Sequence, residues 1–323
     1  MVDIGVALPT RLGNHALTPD ELLRIAETAD ALPQWDHLWV TDSVISLPFY
    51  DSVVLLAACA ARTRRIRLGV ACQASLGLRQ PLVVAQQWAN LDVLSGGRMT
   101  LVACPGESSG ATREKELQAF GMTHPEKVAR MEENVDWLRA VSAGGPVSFS
   151  GKYFSVDDLE LAPAFVQQPL PIWMAGNPPV TAPAARTRRV LGRVARLGDG
   201  WLTYAVTPAV LRARADELSA LLDEVGRQVE TPFPVCVFLN VNVHPRQATA
   251  VDDALAAWSH QSTRNVSAEQ LREISAIGSP AQAADTIGRL VEAGATAFIF
   301  ELLSERRHEQ LELITEHLLP LLS

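Results

Sequence analysis

The chain has 323 residues, 48% of them hydrophobic and 20% charged, with a formal net charge of −8. This supplies a large core, and the negative balance argues against nucleic acid or an anionic membrane surface as a partner. No apolar run reaches the roughly 18–20 residues that a membrane span needs. The first predicted element is the strand Val2–Leu8; with no basic stretch before it, the chain reads as a cytoplasmic protein without a signal peptide. A helix follows over Pro19–Ala31, with Leu22, Ile25, Ala26 and Ala29 at helical spacing and Thr18 as its N-cap. Then come strand His37–Thr41, helix Leu55–Ala61, strand Ile66–Cys72, helix Pro81–Leu94, strand Met99–Ala103 and helix Glu126–Ala143. Segment 144–171 breaks the alternation. Its turn residues and short β pattern predict a hairpin inserted near the mouth of the fold. Beyond it, strand Pro171–Ala175, helix Ala182–Leu197, strand Gly200–Tyr204, helix Pro208–Gly226 and strand Pro234–Val243 resume the pattern. Two helices, Gln247–Trp258 and Ala281–Ala293, precede the last strand, Ala295–Leu302, and the closing helix Arg306–Leu322.

Strands alternating with helices imply a mainly parallel sheet. Eight nearly all-apolar strands suit a (β/α)₈ TIM-type barrel, buried on both faces, as one domain over residues 1–323 with an insertion before strand five. The rival, a doubly wound open sheet, lacks its GxGxxG fingerprint: "LPTRLGNH" stands after the first strand. The four cysteines, Cys59, Cys72, Cys104 and Cys236, show no metal-binding spacing and read as reduced thiols. No metal site is expected.

Chemistry in such barrels sits at the C-terminal strand ends. Here these are Pro9-Thr10, Thr41-Asp42-Ser43, Ala71-Cys72-Gln73, Cys104-Pro105-Gly106-Glu107, Ala175-Gly176-Asn177 and Glu301. Small residues dominate. A flat aromatic cofactor held by main-chain contacts fits such ends better than a metal centre or a Ser-His hydrolytic set.

The runs "LWVTDS", "TRRIRLGV", "RQPLVVAQQWANLDVLSGGRMTL", "PIWMAG" and "RVARLGDGW" resemble the bacterial luciferase-like monooxygenase family, from "GVALPT" to "IGSPAQAADTIGRLVEAGATAFIF". The resemblance implies a TIM-type barrel binding FMN or the 8-hydroxy-5-deazaflavin coenzyme F-420 at its mouth. The ring would lie against the second to fourth strand ends, at Asp42, Ala71, Cys72, Gln73, Pro105, Gly106 and Glu107, and the phosphate near Ala175, Gly176 and Asn177. It also implies a non-prolyl cis peptide within Ala71-Cys72-Gln73.

Several positions carry two readings. Gly176 either lets amides approach an anion or permits a tight turn. Asp42 either serves the cofactor ring or forms a structural salt bridge to an arginine. Glu107 is either a proton-exchanging carboxylate, as in deazaflavin-dependent members, or a cap on the helix in "ESSGATREKEL". Cys72 reads as a packing residue. Arg98 reads as a tie across the barrel floor, and His37 as structural. The aromatics Phe149, Tyr153 and Phe154 either face an apolar ligand or pack the insertion. Many flavin-using relatives carry Asp-His at the second strand, His-Pro before the third helix and Gly-x-Gly-x-Gly at the fourth strand. This chain has Asp42-Ser43, Gln80-Pro81 and "LVACPGE". Together with Glu107, these departures favour F-420 over FMN and hydride transfer over oxygen activation, with Glu107 and Asp42 as candidate catalytic groups. The alternatives are an FMN-dependent monooxygenase and a flavin-binding protein without turnover. The partners expected are a small-molecule substrate and a second copy in a homodimer.

Overall fold

The computed structural model describes residues 2–12, 16–106, 110–227, 232–261 and 266–322. Eight parallel strands close on themselves: β1 (Asp3–Ala7), β2 (His37–Val40), β3 (Arg67–Gln73), β4 (Met99–Ala103), β7 (Ile172–Ala175), β8 (Trp201–Tyr204), β9 (Val235–Val243) and β11 (Ala297–Leu302). The ring shuts because β11 pairs with β1, Ile299 opposite Gly5, and β8 pairs with β9. All eight predicted strands are there, within a few residues at their ends. The helices between them include α1 (Pro19–Ala31), α2 (Ser52–Arg62), α3 (Pro81–Ser95), α4 (Ala111–Ala119), α5 (His124–Ser142), α6 (Ala184–Leu197), α7 (Pro208–Val225), α8 (Gln247–Gln261), α9 (Ala268–Glu273), α10 (Pro280–Glu292) and α11 (Arg307–Leu313).

Strand alternation sorts the core into two parts. Outward residues such as Val6, Leu38, Val70, Leu101 and Phe300 join the helices in the main cluster, while Ala7, Trp39, Ala71, Val102, Trp173 and Ile299 fill the barrel. Trp39 and Trp173 lie 5.8 Å apart and plug the lower barrel. The chain makes room for Trp39 by omission: a Cβ on Gly69 would stand 2.3 Å from its ring, and one on Gly5 2.5 Å. His37 stacks on Trp39 at 5.5 Å, buried at the strand's N-terminal end as expected. Any sizeable ligand is therefore confined to the opposite rim.

Arg98 ties the floor. It donates to the carbonyls of Ile66 and Ser95 (both 2.6 Å) and to Thr63. Gly96, at φ 71°, ends α3 in the left-handed conformation that glycine adopts freely.

The insertion is the hairpin β5 (Val147–Ser150) and β6 (Ser155–Leu159). Its position differs from the expectation of a place near the mouth. Phe149 and Phe154 pack edge-on against Trp137 of α5, and Glu133 of α5 accepts the amides of Lys152 and Tyr153. The segment after it crosses the floor, where Asp92 accepts the amides of Val166 and Gln167. Burying these rings against α5 removes more apolar surface from water than an open rim would. A further short strand, β10 (Ser275–Gly278), pairs with the upper half of β9 outside the ring. Sequence reasoning overlooked it because four residues carry too little pattern; β9 runs past the rim and supplies the pairing.

Candidate cofactor site at the barrel mouth

Asp42 stands at the end of β2 with its side chain fully buried. One oxygen accepts from Ser52 Oγ (2.7 Å) and meets Arg79 (3.5 Å); the other accepts the Ser75 amide (2.8 Å). The carboxylate thus holds the β3–α3 loop against α2. Arg79 also bonds Ser75 Oγ and Asp51. Beside Asp42, Thr41 meets Thr10 through their hydroxyls, joining the ends of β1 and β2.

At the end of β3 the Ala71–Cys72 peptide is cis, within the predicted tripeptide. The register with β4 slips between Ala71 and Gln73, so Cys72 as well as Ala71 faces the interior. Gln73 points the other way: its Oε1 accepts from Trp88 of α3 (3.1 Å), leaving the buried Nε2 without a partner. Its side chain lies in the helix layer, not at the rim.

The thiol expectation needs correction at two of the four cysteines. Cys72 and Cys104 form a disulfide across the ends of β3 and β4, with Cα atoms 5.8 Å apart. Their separation of 32 residues conceals that adjacent strands bring both to one inner wall. Cys59 and Cys236 are free and buried; burial pushes the Cys59 thiol up to about 12 and that of Cys236 higher still.

Beyond Cys104, Pro105 and Gly106 are partly exposed, Gly106 at φ 70°. A Cβ there would come 3.2 Å from Lys127 Nζ. Lys127 is buried and pairs with Glu116 of α4 (3.4 Å). Burial alone would raise the Glu116 carboxyl, but the amides of Ile45 and Ser46, with Lys127, hold it below its ordinary value. These groups pin the β2–α2 loop over a cleft of about 60 Å³ lined by Asp42, Ser43, Ala74, Ser75 and Gly106. Glu107 lies outside the described residues.

On the far side, Ala175 faces the interior at the end of β7. The Gly176 amide donates to the Leu202 carbonyl (3.0 Å), and its own carbonyl accepts from Trp201 Nε1 (2.7 Å). A Cβ at Gly176 would sit 3.0 Å from Val194 of α6, so helix–strand packing accounts for the glycine. Asn177 accepts from Thr203 (3.1 Å) and from Arg214 of α7 (2.7 Å); Arg214 also donates to the Pro178 carbonyl. Burial lowers the Arg214 pKa.

Sequence reasoning passed over two mouth residues, Arg214 and Tyr204, and named a third, Glu301, as a strand end without giving it a role. Arg214 sits in the same helical stripe as buried Leu211, Leu218 and Leu221, a visible oddity. Tyr204, at the end of β8, leaves an aromatic ring 49% exposed, followed by Ala205 at φ 50°, a left-handed conformation that a non-glycine residue adopts at a cost. Glu301 is the inward carboxyl at the end of β11, which burial pushes up to about 7 while Arg307 draws it back. No cluster of metal-ligating side chains occurs among the described residues, and no described helix is long and apolar enough to cross a membrane.

Among the described residues the rim therefore presents Ala175 and the Cys72–Cys104 disulfide above buried Ala71, a partly exposed backbone at Pro105-Gly106 and an aromatic at Tyr204. Such a lining offers main chain and small side chains to a bound group. Residues 2–297 match the family model described as luciferase-like monooxygenase. The chain is 27% identical over 224 residues to an F-420-dependent glucose-6-phosphate dehydrogenase from Amycolatopsis mediterranei; the match covers 66% of this chain and 64% of that relative's length. Its fold superimposes on that of an F-420-dependent secondary alcohol dehydrogenase in complex with an F-420-acetone adduct, with TM-score 0.79 and 18% identity over 100% of this chain and 99% of the other. It also superimposes on the oxygenating constituent of 3,6-diketocamphane monooxygenase from Pseudomonas putida in complex with FMN, with TM-score 0.77 and 16% identity over 99% and 98% of the two chains.

Proposed function

The chain belongs to the luciferase-like monooxygenase family of oxidoreductases, and from that premise we propose that it uses the deazaflavin F-420 to move hydride to or from a small organic substrate. The observation that carries the reading is the lining at the ends of β3, β4 and β7, where the small inward residues Ala71, Cys72 and Ala175 stand beside the partly exposed backbone of Pro105-Gly106. When bound, the deazaflavin supplies a two-electron hydride donor or acceptor. Ala71, Cys72, Pro105 and Gly106 would hold the ring through main chain and small side chains, with Ala175 opposite. Asp42 acts through others: by fixing Ser75 and Arg79 it keeps the β3–α3 loop in place. Gln73 braces the same loop from behind through Trp88. Near Asn177 the buried Arg214 places a positive charge that suits the coenzyme's phosphate better than the Gly176 amide, which the sheet already engages. Glu107 is proposed to exchange a proton beside the carbon that gives or takes the hydride.

A second reading, an FMN-dependent monooxygenase, draws support from the FMN-bound P. putida structure. A flavin-binding protein without turnover is the reading of another class. We propose further that the protein works in the cytoplasm as a homodimer. Titration with F-420 and with FMN, followed by absorbance and fluorescence, tests the choice. Tight binding of F-420 alone is expected. Binding of FMN alone would move the assignment to the second reading, and binding of neither would overturn it.

A further inference from the structure

Along β11, Ala297 and Ile299 face the barrel interior while Phe298, Phe300 and Leu302 face the helices. The two-residue period therefore turns Glu301 inward. It is the last inward residue of its strand, opposite Ala7 on β1 and Asn240 on β9, neither of them charged. The residue is partly buried, at the C-terminal end of its strand. Asp42 and Glu116, carboxylates there among the described residues, are engaged by several donors each. Among the described residues no hydrogen bond to Glu301's carboxyl is found. The charge that bears on it is Arg307 of α11, which is itself beside Glu305.

From this placement we infer that Glu301 is a general acid–base residue of the mouth, exchanging a proton with a hydroxyl or carbonyl oxygen of the substrate. The inference rests on the oxidoreductase reading above. A carboxyl already locked by donors cannot easily change its protonation; one that is inward, dry on most sides and without a hydrogen bond can. Its titration, pushed up by burial to about 7, leaves both forms populated at neutrality. In the oxidative direction the substrate C–H bond breaks with its electron pair passing to oxidised deazaflavin. The O–H bond breaks with its proton passing to a Glu301 oxygen, and a C=O bond forms. In reduction the proton returns from Glu301 to the new hydroxyl.

Two measurements on the full chain test this. Side-chain carboxyl NMR of isotope-labelled glutamate should show one resonance titrating near neutrality that is missing in Glu301→Gln. Calorimetry of F-420 binding near neutral pH, in two buffers of different ionisation heat, should show fractional proton uptake in the wild type. A ring drying the mouth raises the carboxyl further. The uptake should vanish in Glu301→Gln and return in Glu301→Asp, with coenzyme affinity changed less than a few-fold. Equal uptake in wild type and Glu301→Gln, or a Glu301 resonance titrating in the ordinary carboxylate range, would overturn the inference alone. Failure of the wild type to bind either coenzyme would overturn the functional reading and this inference with it.

Discussion

Single buried groups set much of the chemistry here. His37 sits on the Trp39 ring with an unpartnered Nδ1, and burial first, then Arg67, lowers its pKa from 6.5 to about 3. The unfolded chain therefore takes up the proton before the folded one. Stability is unaffected above the unfolded value and falls as pH drops from about 6.5 toward 3, by up to ~1.4 kcal/mol per pH unit. His37→Phe, which keeps a ring on Trp39, should flatten that slope in denaturant melts across the acid range; an unchanged slope would refute it. Glu301 has the opposite sign. Its folded pKa is raised from 4.5 to about 7, so stability present below the unfolded value is lost as pH rises through the folded one. Glu301→Gln should thus melt higher than wild type in mildly alkaline buffer and lose that advantage near pH 4, read by calorimetric Tm.

Elements meet at a few close contacts. β2 and β3 approach as they do because Gly69 leaves its Cβ space to Trp39. Gly69→Ala should cost about 1–3 kcal/mol through overpacking, measured by urea unfolding, whereas Gly192→Ala, with nothing within 4 Å of its added methyl and a better helix former in place, should cost nothing and serves as the control. At the mouth, α4 holds the β2–α2 loop through Glu116, which serves two amides and Lys127. Glu116→Ala strands a buried lysine. It should destabilise the protein by about 3–5 kcal/mol and speed hydrogen exchange at Ile45 and Ser46.

For the molecule as a whole, the Cys72–Cys104 disulfide links neighbouring strands of the closed ring. Thiol labelling after denaturation should find two free groups without reductant and four with it. Four in both cases would remove the cross-link. A link closing about 32 residues contributes roughly 3–4 kcal/mol by restricting the unfolded chain, so Cys104→Ser should lower the unfolding free energy by that amount, read from denaturant melts.

Local pattern determined the strand and helix order, the barrel and the strand ends that form its rim, because apolar period and turn residues act over a few neighbours. It also identified Arg98 as a floor tie, while the family resemblance marked the tripeptide that carries the cis bond. The partners that complete each site came only with the tertiary structure: Asp42 with Ser52 and Ser75, Asn177 with Arg214, Cys72 with Cys104. So did the place of the insertion on α5 and the setting of Glu301 between uncharged strand partners. Sequence distance conceals these pairings, since barrel closure brings together residues separated by tens of positions. Burial and charge at a point depend on everything packed around it, and no local segment of the chain contains that information.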